Sequence, residues 1–397
     1  MALTIERVEI LLLVAAVVAM LARRLRVPYS IGLLLAGIAL ALLPFAPQIQ
    51  LTKELIFSAF LPPLIFEAAF QLKWKELQKD LPVILLLATV GVLLSMAITA
   101  GGMRFLAGWQ WTAALIFGVL IAATDPVSVI ATFKEAGAKG RIRLLVEAES
   151  LFNDCTSAVL FSIALAIAAG QSVSAAGITV MLIAVVLGAV VCGALVAAAV
   201  LLLMGRIDDH LIEITFTAVA AYGSFLLAEH FHLSGVLATL TTGLIIGNVG
   251  HLGAMSETSR QSVEEFWEVA AFVVNSLVFL LIGIHEASQN FRRVLVPAIV
   301  AILVVTLGRA FAVYPLSLVF ARSRLRVQSH HQHILFWGGL RGALALALAL
   351  GLPPGMPHRE DIISVAFAVV AFSILVQGLT ITPLLRRTGE LPAAGRE

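Results

Sequence analysis

Three acids and one amide interrupt an apolar stretch of the sequence, where they could bind a cation or take up a proton. The stretch is VEAESLFNDCTSAV at residues 146–159, and it continues as LFSIALAIAA. The polar residues in question are Glu147, Glu149, Asn153 and Asp154. An acid at the centre of a membrane helix costs about 2.5–3.5 kcal/mol, so its presence indicates a functional role such as an ion pathway or a proton relay.

A helix over this stretch would separate the acids. At about 100° per residue, Glu147 and Asp154 share one stripe with Ser150. Glu149 and Asn153 fall on a neighbouring stripe, so Glu149 points away from Asp154. We expect one carboxylate to face a pathway and another to need a buried partner. Glu147 could instead belong to the solvated start of the helix, whereas Asp154 lies about 10 Å deeper.

The composition indicates which elements carry these side chains. Of the 397 residues, 60% are hydrophobic and 13% are charged, and the mean hydropathy is +1.02. These values are typical of a helical membrane protein. We therefore predict an all-α polytopic membrane protein of about thirteen transmembrane helices. The predicted spans lie at about 8–22, 29–44, 53–70, 82–106, 111–133, 143–169, 175–204, 211–230, 233–249, 263–284, 293–320, 331–351 and 361–385.

The basic residues are unevenly divided between the two sides that thirteen spans would create. Six lie on one side: Arg7, Lys53, Arg104, Arg292, Arg293 and Arg359. Two more, Arg309 and Arg341, fall inside apolar segments, and the remaining 18 of the 26 lie on the other side. By the positive-inside rule, that second side is cytoplasmic. We predict a multi-pass inner or plasma membrane protein with an extracytoplasmic N-terminus and a cytoplasmic C-terminus.

Two predicted spans contain helix-breaking sequence. Span five has Thr124, Asp125 and Pro126 in its middle, and proline disfavours helix at the residue before it. Span twelve reads LFWGGLRGALALALALGL, in which glycines surround Arg341. Breaks expose helix ends, and Asp125 and Arg341 have the charges that would compensate them. Paired interrupted segments point to a transporter's binding site near the middle of the membrane.

The spacing of the two breaks predicts an inverted repeat. They lie seven spans apart, and because seven is odd, equivalent units would cross the membrane in opposite directions. We predict repeats at about 8–169 and 211–385 with a linker helix at about 175–204, all within a single transmembrane domain (1–397) and with no soluble domain. The sequence contains no nucleotide-binding loop, so we expect transport driven by gradients rather than an enzyme.

Arg309, within span eleven, needs an acidic partner. An uncompensated buried guanidinium is very costly. Glu149 is the buried acid that itself requires a partner, so we expect a structural ion pair between Glu149 and Arg309. Asp125 is the alternative partner.

Glu67, in span three, has two interpretations. It follows Pro62 and Pro63, which predict a kink, and it lies near the cytoplasmic end of the span. Its carboxylate could reach an ion pathway. It could also pair at the membrane surface with Lys73 or Lys75.

The net charge, the two cysteines and the histidine-containing loop give little support for other functions. The net charge of +2 gives no support for nucleic acid as a partner. Cys155 and Cys192 lie in apolar runs and are interpreted as small core residues. The basic loop with His330, His331 and His333 is either solvated or a pH sensor. A metal site is not expected there, because no acid or cysteine lies nearby in the sequence.

Six segments of the chain resemble the sodium/proton antiporters of the NhaP and animal exchanger type in order and spacing. They are FLPPLIFEAAF, ATDPVSV, EAESLFND, LVFLLIG, GGLRGALALAL and VQGLTITPLL. The resemblance covers essentially the whole membrane domain. It implies a thirteen-helix, inverted-repeat antiporter in membrane lipid, usually a homodimer, with a dimerisation domain and a mobile core domain. It implies no cofactor beyond the transported Na⁺ and H⁺, and no nucleotide.

The resemblance also implies roles for single residues. The family's Asn-Asp pair falls on Asn153 and Asp154, and the aspartate is its main site for the cation and the proton. The threonine and aspartate of the family's broken helix fall on Thr124 and Asp125, whose oxygens lie around the ion in relatives. A glutamate near the ion in archaeal relatives matches Glu67.

Two further positions match the family and one departs from it. The Glu and Ser before the Asn-Asp pair fall on Glu149 and Ser150, and the Glu is ion-paired in relatives with an arginine that matches Arg309. Cys155 stands where many prokaryotic relatives have proline, alanine or glycine. That departure leaves the cation preference open.

The function expected from these features is exchange of Na⁺ (or Li⁺) for H⁺ at a single carboxylate, with a part in pH homeostasis. The expected ion site is Asp154 and Asp125, with Thr124, Ser150 and Glu67 as further oxygen ligands, a set that suits a hard cation. Asn153 favours electroneutral exchange by family resemblance. The alternatives are a K⁺/H⁺ exchanger on the same scaffold and an ion-coupled solute symporter, whose flux would require an organic solute.

Overall fold

The computed structural model describes residues 5–25, 28–42, 52–125, 129–130, 133, 140–170, 175–205, 209–250, 255–287 and 291–391. Within these ranges the regular structure is helical. The first helices are α1 (Ile5–Leu25), α2 (Tyr29–Ala41), α3 (Leu61–Gln71), α4 (Trp74–Leu86), α5 (Val92–Phe105), α6 (Trp111–Leu120), α7 (Arg141–Ala168) and α8 (Ala175–Met204). They are followed by α9 (His210–His230), α10 (Gly235–Val249), α11 (Glu257–Glu286), α12 (Phe291–Val319), α13 (Ser329–Trp337), α14 (Ala343–Leu350), α15 (Arg359–Phe372) and α16 (Gly378–Arg387).

Within the described residues, seven helical stretches are long and apolar enough to cross a membrane. They are Trp74–Phe105, Arg141–Ala168, Val180–Met204, His210–His230, Thr258–Glu286, Val294–Val319 and Arg359–Arg387. Five shorter apolar helices occupy the predicted spans one, two, three, five and nine. The helices α13 and α14 share predicted span twelve. The described part of the chain therefore has the all-α, polytopic architecture predicted from the sequence.

The structure refines two of the predicted spans, four and three. The helix over predicted span four begins at Trp74 rather than near residue 82, because the polar segment before the apolar run also consists of good helix formers. The prolines of span three lie within the continuous helical stretch Leu55–Gln71. They stand in the first turn of α3, and the turn before them, Leu55–Phe60, is a π-helix. Proline has no N–H to bond four residues back, so the hydrogen-bond pattern shifts there.

The chain folds as two compact units. The first comprises Met1–Lys53, Pro82–Asn153 and Ser276–Glu397, and the second comprises Glu54–Leu81 and Asp154–Asn275. One boundary between them falls between Asn153 and Asp154, within the continuous helix α7. The inverted repeats predicted at 8–169 and 211–385 remain a prediction.

In the first unit, small residues let helices pack closely. The helices α2 and α11 meet at Gly37 and Gly283, where a methyl group on Gly283 would lie 3.0 Å from the Cα of Gly37. The helices α5 and α12 meet where Gly102 faces Val304. Glycine at such contacts is typical of membrane helices, which lack a hydrophobic force between them and depend on close van der Waals contact.

The second unit has a core of aromatic and aliphatic side chains. The rings of Phe66 and Trp267 lie 4.7 Å apart, and both side chains are buried. The Trp267 Nε1–H donates to Thr217 Oγ1 at 3.0 Å, which satisfies the indole in an apolar surrounding. Gly243 faces α3, where a methyl group would lie 2.9 Å from the Ala69 Cβ.

Candidate functional site

The carbonyls at the C-terminal end of α6 accept hydrogen bonds from an arginine in a distant part of the chain. The helix ends at Leu120, and the chain is non-helical from Ala123 to Asp125. The Arg341 Nη1 group donates to the carbonyls of Ala122 at 2.7 Å and Ala123 at 3.0 Å. Arg341 is only 3% exposed. A cation at a helix C-terminus interacts favourably with the helix dipole and with carbonyls that have no partner within the helix.

The two interrupted segments meet directly. The Asp125 N–H donates to the Leu340 carbonyl at 2.7 Å, and the two residues form an isolated antiparallel bridge. Gly342 caps the N-terminus of α14, and a methyl group at this position would overlap the Asp125 carboxylate. The carboxylate therefore lies at the N-terminal end of α14, where negative charge is favoured. Pro126 lies outside the described residues.

Arg309 and Glu149 form a buried, bidentate ion pair. The Arg309 Nη1 group lies 2.7 Å from Glu149 Oε1, and Nη2 lies 2.9 Å from Oε2. Arg309 also donates from Nε and Nη2 to the Leu335 carbonyl, at 3.2 and 2.8 Å. That carbonyl belongs to the last turn of α13. Arg309 thus neutralises Glu149 and compensates a second helix end at the break.

Asn153 joins α7 to the interrupted segment after α6. Its Oδ1 accepts from the Thr124 N–H at 3.1 Å, and its Nδ2 donates to Thr124 Oγ1 at 2.6 Å and to Glu149 Oε1 at 3.1 Å. The Ser150 hydroxyl donates to the Thr124 carbonyl. These side chains are all buried. Asn153 therefore links the ion pair to the break through one continuous hydrogen-bonded network.

The structure shows a further contact that holds the break around Arg341, and the sequence did not predict it. The Arg341 N–H donates to Ser373 Oγ at 2.7 Å, and the Ser373 hydroxyl donates to Gln377 Oε1 at 3.0 Å. Both side chains belong to a π-helical turn, Ser373–Gln377, between α15 and α16. Such turns are frequent at functional sites. Gln377 lies in the VQGLTITPLL motif, which carried the resemblance without indicating this contact.

The other predicted site residues belong to the second unit. Asp154 follows Asn153 in α7, one helical turn after Ser150. Glu67 is half-buried on α3, where it accepts from Gln71 Nε2 at 2.6 Å. Within the first unit the structure thus brings together the predicted residues Thr124, Asp125, Glu149, Ser150, Asn153, Arg309 and Arg341.

Glu147, which had two interpretations, lies 7% exposed in the second turn of α7. Its Oε2 is 3.7 Å from the Arg143 Nε, one turn earlier on the same helix. The position is therefore not a fully solvated helix start. Its charge is balanced locally within α7.

Comparison with known proteins identifies the family. The family model described as sodium/hydrogen exchanger, transmembrane, matches residues 10–387. The Na(+)/H(+) antiporter ApNhaP of Aphanothece halophytica is 37% identical, over 92% of this chain and 70% of its own length. The Na(+)/H(+) antiporter NhaH of Halobacillus aidingensis is 33% identical, over 96% of this chain and 97% of its own.

The fold is also that of a solved structure. The sodium proton antiporter MjNhaP1 from Methanocaldococcus jannaschii, solved at pH 8, superimposes with a TM-score of 0.74 over 97% of both chains, at 20% identity. Together with the family match over most of the chain, this agreement leaves one conclusion. The chain belongs to the sodium/hydrogen exchanger family.

Proposed function

We propose that this chain is a secondary active antiporter that exchanges Na⁺, or Li⁺, for H⁺ across the membrane. The observation that carries the proposal is the meeting of two interrupted helices whose exposed ends are matched by charges of the appropriate sign. Interrupted helices with compensated ends are how transporters bring backbone and side-chain oxygens to an ion at the middle of the membrane. The named relatives, which are Na(+)/H(+) antiporters, support the same assignment.

Asp154 is the carboxylate for which we propose the exchange. Asp154 matches the aspartate that is the main cation and proton site in the family that this chain resembles, whereas Glu149 is held by Arg309. A carboxylate that is ionised binds a cation, whereas the protonated form does not, so Na⁺ and H⁺ compete for it. With the site open to one side of the membrane at a time, this competition alone couples the two fluxes.

The remaining site residues have proposed roles around Asp154. Asp125, Thr124, Ser150 and Glu67 are the candidate oxygen ligands. Asn153 is uncharged, and its side chain makes three hydrogen bonds within the network of the first unit. With one titratable carboxylate per transport cycle, exchange of one Na⁺ for one H⁺ moves no net charge. We propose electroneutral exchange by a homodimer with a cytoplasmic C-terminus.

Replacement of the proposed carboxylate tests this function. In proteoliposomes that contain a pH dye, a Na⁺ pulse should release protons with the wild-type protein and give no signal with Asp154→Asn. Glu265→Gln is the matched control, because it removes one negative charge from an exposed position on α11. The variant should transport normally. Normal flux through Asp154→Asn, in protein that elutes as the wild type does, would refute the assignment.

The same vesicles separate the proposed exchange from its alternatives. With equal K⁺ on both sides, valinomycin holds the membrane potential at zero, and an electroneutral exchanger should run at the same rate with and without it. Acceleration by valinomycin would show that net charge moves. A K⁺ pulse that gives the larger signal would identify a K⁺/H⁺ exchanger, and flux that requires an organic solute would identify a symporter.

A further inference from the structure

A second group of ionisable side chains lies away from the proposed transport site. His330 and His331 lie in the first turn of α13, and Glu390 follows the end of α16. The His331 Nε2 atom is 2.9 Å from Glu390 Oε1, and the His330 Nε2 atom is 3.5 Å from the same oxygen. The two imidazole rings are 4.3 Å apart between centroids. Two ring nitrogens thus converge on a single carboxylate oxygen.

The spacing of these atoms fits a tetrahedral metal centre. All three lie within 4.8 Å of one another. Zinc binds nitrogen and oxygen ligands at about 2.0–2.2 Å, which places tetrahedral ligand atoms about 3.3 Å apart. The two measured distances to Glu390 Oε1 lie on either side of that value. A hydrogen bond accounts for one imidazole at this oxygen, and a shared ion would account for both.

The sequence argued against a metal here, because no acid lies near the histidines in the chain. The fold removes that objection, since Glu390 arrives from 59 residues away. Two imidazoles and one carboxylate are ligands for borderline cations such as Zn²⁺, whereas Na⁺ and Li⁺ prefer oxygen alone. The cluster is therefore not a second copy of the proposed transport site.

We propose that His330, His331 and Glu390 form a binding site for a transition-metal cation, with Zn²⁺ as the best fit. Three protein ligands leave the fourth tetrahedral position to water. All three side chains are partly exposed, so the ion can enter from solvent. The bound ion ties α13, the helix that leads into the break at Gly338–Gly342, to the segment after α16. It therefore stabilises the first unit against unfolding.

Calorimetric titration of the purified protein with ZnCl₂ tests the proposal, after removal of any polyhistidine tag. The wild type should bind one Zn²⁺ per chain, and its unfolding temperature should rise on addition of the metal. His330→Ala, His331→Ala and Glu390→Gln should each weaken binding by at least about tenfold, a loss that even outer-shell substitutions cause at zinc sites. They should also abolish the rise in unfolding temperature.

His333→Ala is the matched control. His333 is exposed on the same helix, and its Nδ1 lies 2.8 Å from the Tyr314 hydroxyl rather than at the cluster. This variant should bind Zn²⁺ as the wild type does. The proposal is overturned if the wild type binds no Zn²⁺, or if the triple variant His330→Ala/His331→Ala/Glu390→Gln binds it equally well. If His331→Ala does not fold, the more exposed His330 and Glu390 variants decide the question.

Discussion

Arg309 donates four hydrogen bonds to two groups, the Glu149 carboxylate and the Leu335 carbonyl. Removing the two charges from water costs several kcal/mol per ion. The two hydrogen bonds of the bidentate ion pair offset that desolvation cost only while both partners are present. A single charge left behind would be buried, since Glu149 is 2% exposed and Arg309 is 7% exposed. The two residues should therefore respond to substitution as one unit.

Removal of either partner should destabilise the protein strongly. Arg309→Ala and Glu149→Ala should each cost about 3–5 kcal/mol, because each leaves an uncompensated buried charge. The double variant should lose much less than the sum of the two. Thermal unfolding in detergent measures all three, with Arg260→Ala, which breaks a partly exposed pair on α11, as the control. Additive losses would contradict the pairing.

Asn153 should act as a brace between α7 and the break. Asn153→Ala leaves three buried partners without their contact: the Thr124 N–H, Thr124 Oγ1 and Glu149 Oε1. Thr124 Oγ1 and Glu149 Oε1 keep other partners, so the group left unsatisfied is the Thr124 N–H, at a cost of about 1–3 kcal/mol. We expect a lower unfolding temperature together with slower Na⁺-dependent proton flux. Ser162→Ala, at an exposed position of the same helix, should change neither. An unchanged unfolding temperature for Asn153→Ala would exclude the brace.

At the scale of elements, the break depends on glycines that leave room for charged groups. A methyl group at Gly342 would overlap the Asp125 carboxylate, and one at Gly339 would lie 2.5 Å from the Arg309 Nε. Neither glycine has a positive φ angle, so it is space rather than backbone freedom that requires them. The glycines of the GGLRG sequence therefore allow Asp125 and Arg309, two charged residues from other segments, to pack against this short stretch of chain.

Gly342→Ala should impair transport, whereas Gly101→Ala should not. At Gly342 the added methyl displaces Asp125 from the end of α14, and we expect Na⁺-dependent flux to fall by at least about tenfold, the effect of roughly 1.4 kcal/mol. At Gly101, in α5, a methyl group meets nothing within 4 Å. That substitution should be neutral or stabilise by about 0.4–1 kcal/mol. Equal flux in the two variants would show that the Gly342 contact is unimportant.

The sequence predicted the elements better than it predicted their contacts. Apolar runs located the helices, and Pro126 and the glycines around Arg341 located the two breaks, because both signals are local. The π-helical turn at Ser373–Gln377 was not predicted, since its apolar sequence reads as ordinary helix. The hydrogen bonds of Arg341 to Ala122 and Ala123 join residues more than 200 positions apart. Charge and position suggested a role at a helix end, but not which carbonyls.

At the scale of the whole molecule, the histidines of α13 also show that local sequence does not predict contacts between distant segments. Local sequence offered no acidic partner, and the fold supplied Glu390. The division of the chain between Asn153 and Asp154 likewise has no local signal, because the helix runs through it without interruption. Pairings between distant segments are set by tertiary packing, which no window of sequence contains.

The orientation in the membrane rests on the distribution of arginine and lysine, and cysteine labelling can test it. Gln110 and Ala321 are exposed at opposite ends of seven predicted spans, so they should lie on opposite sides of the membrane. A membrane-impermeant maleimide should label Gln110→Cys in intact cells and Ala321→Cys only after permeabilisation. The native Cys155 and Cys192 are buried, so the unsubstituted protein provides a low background. The reverse pattern would invert the predicted orientation. Labelling of both cysteines from outside would mean that an even number of spans separates them, which would contradict the thirteen-span topology.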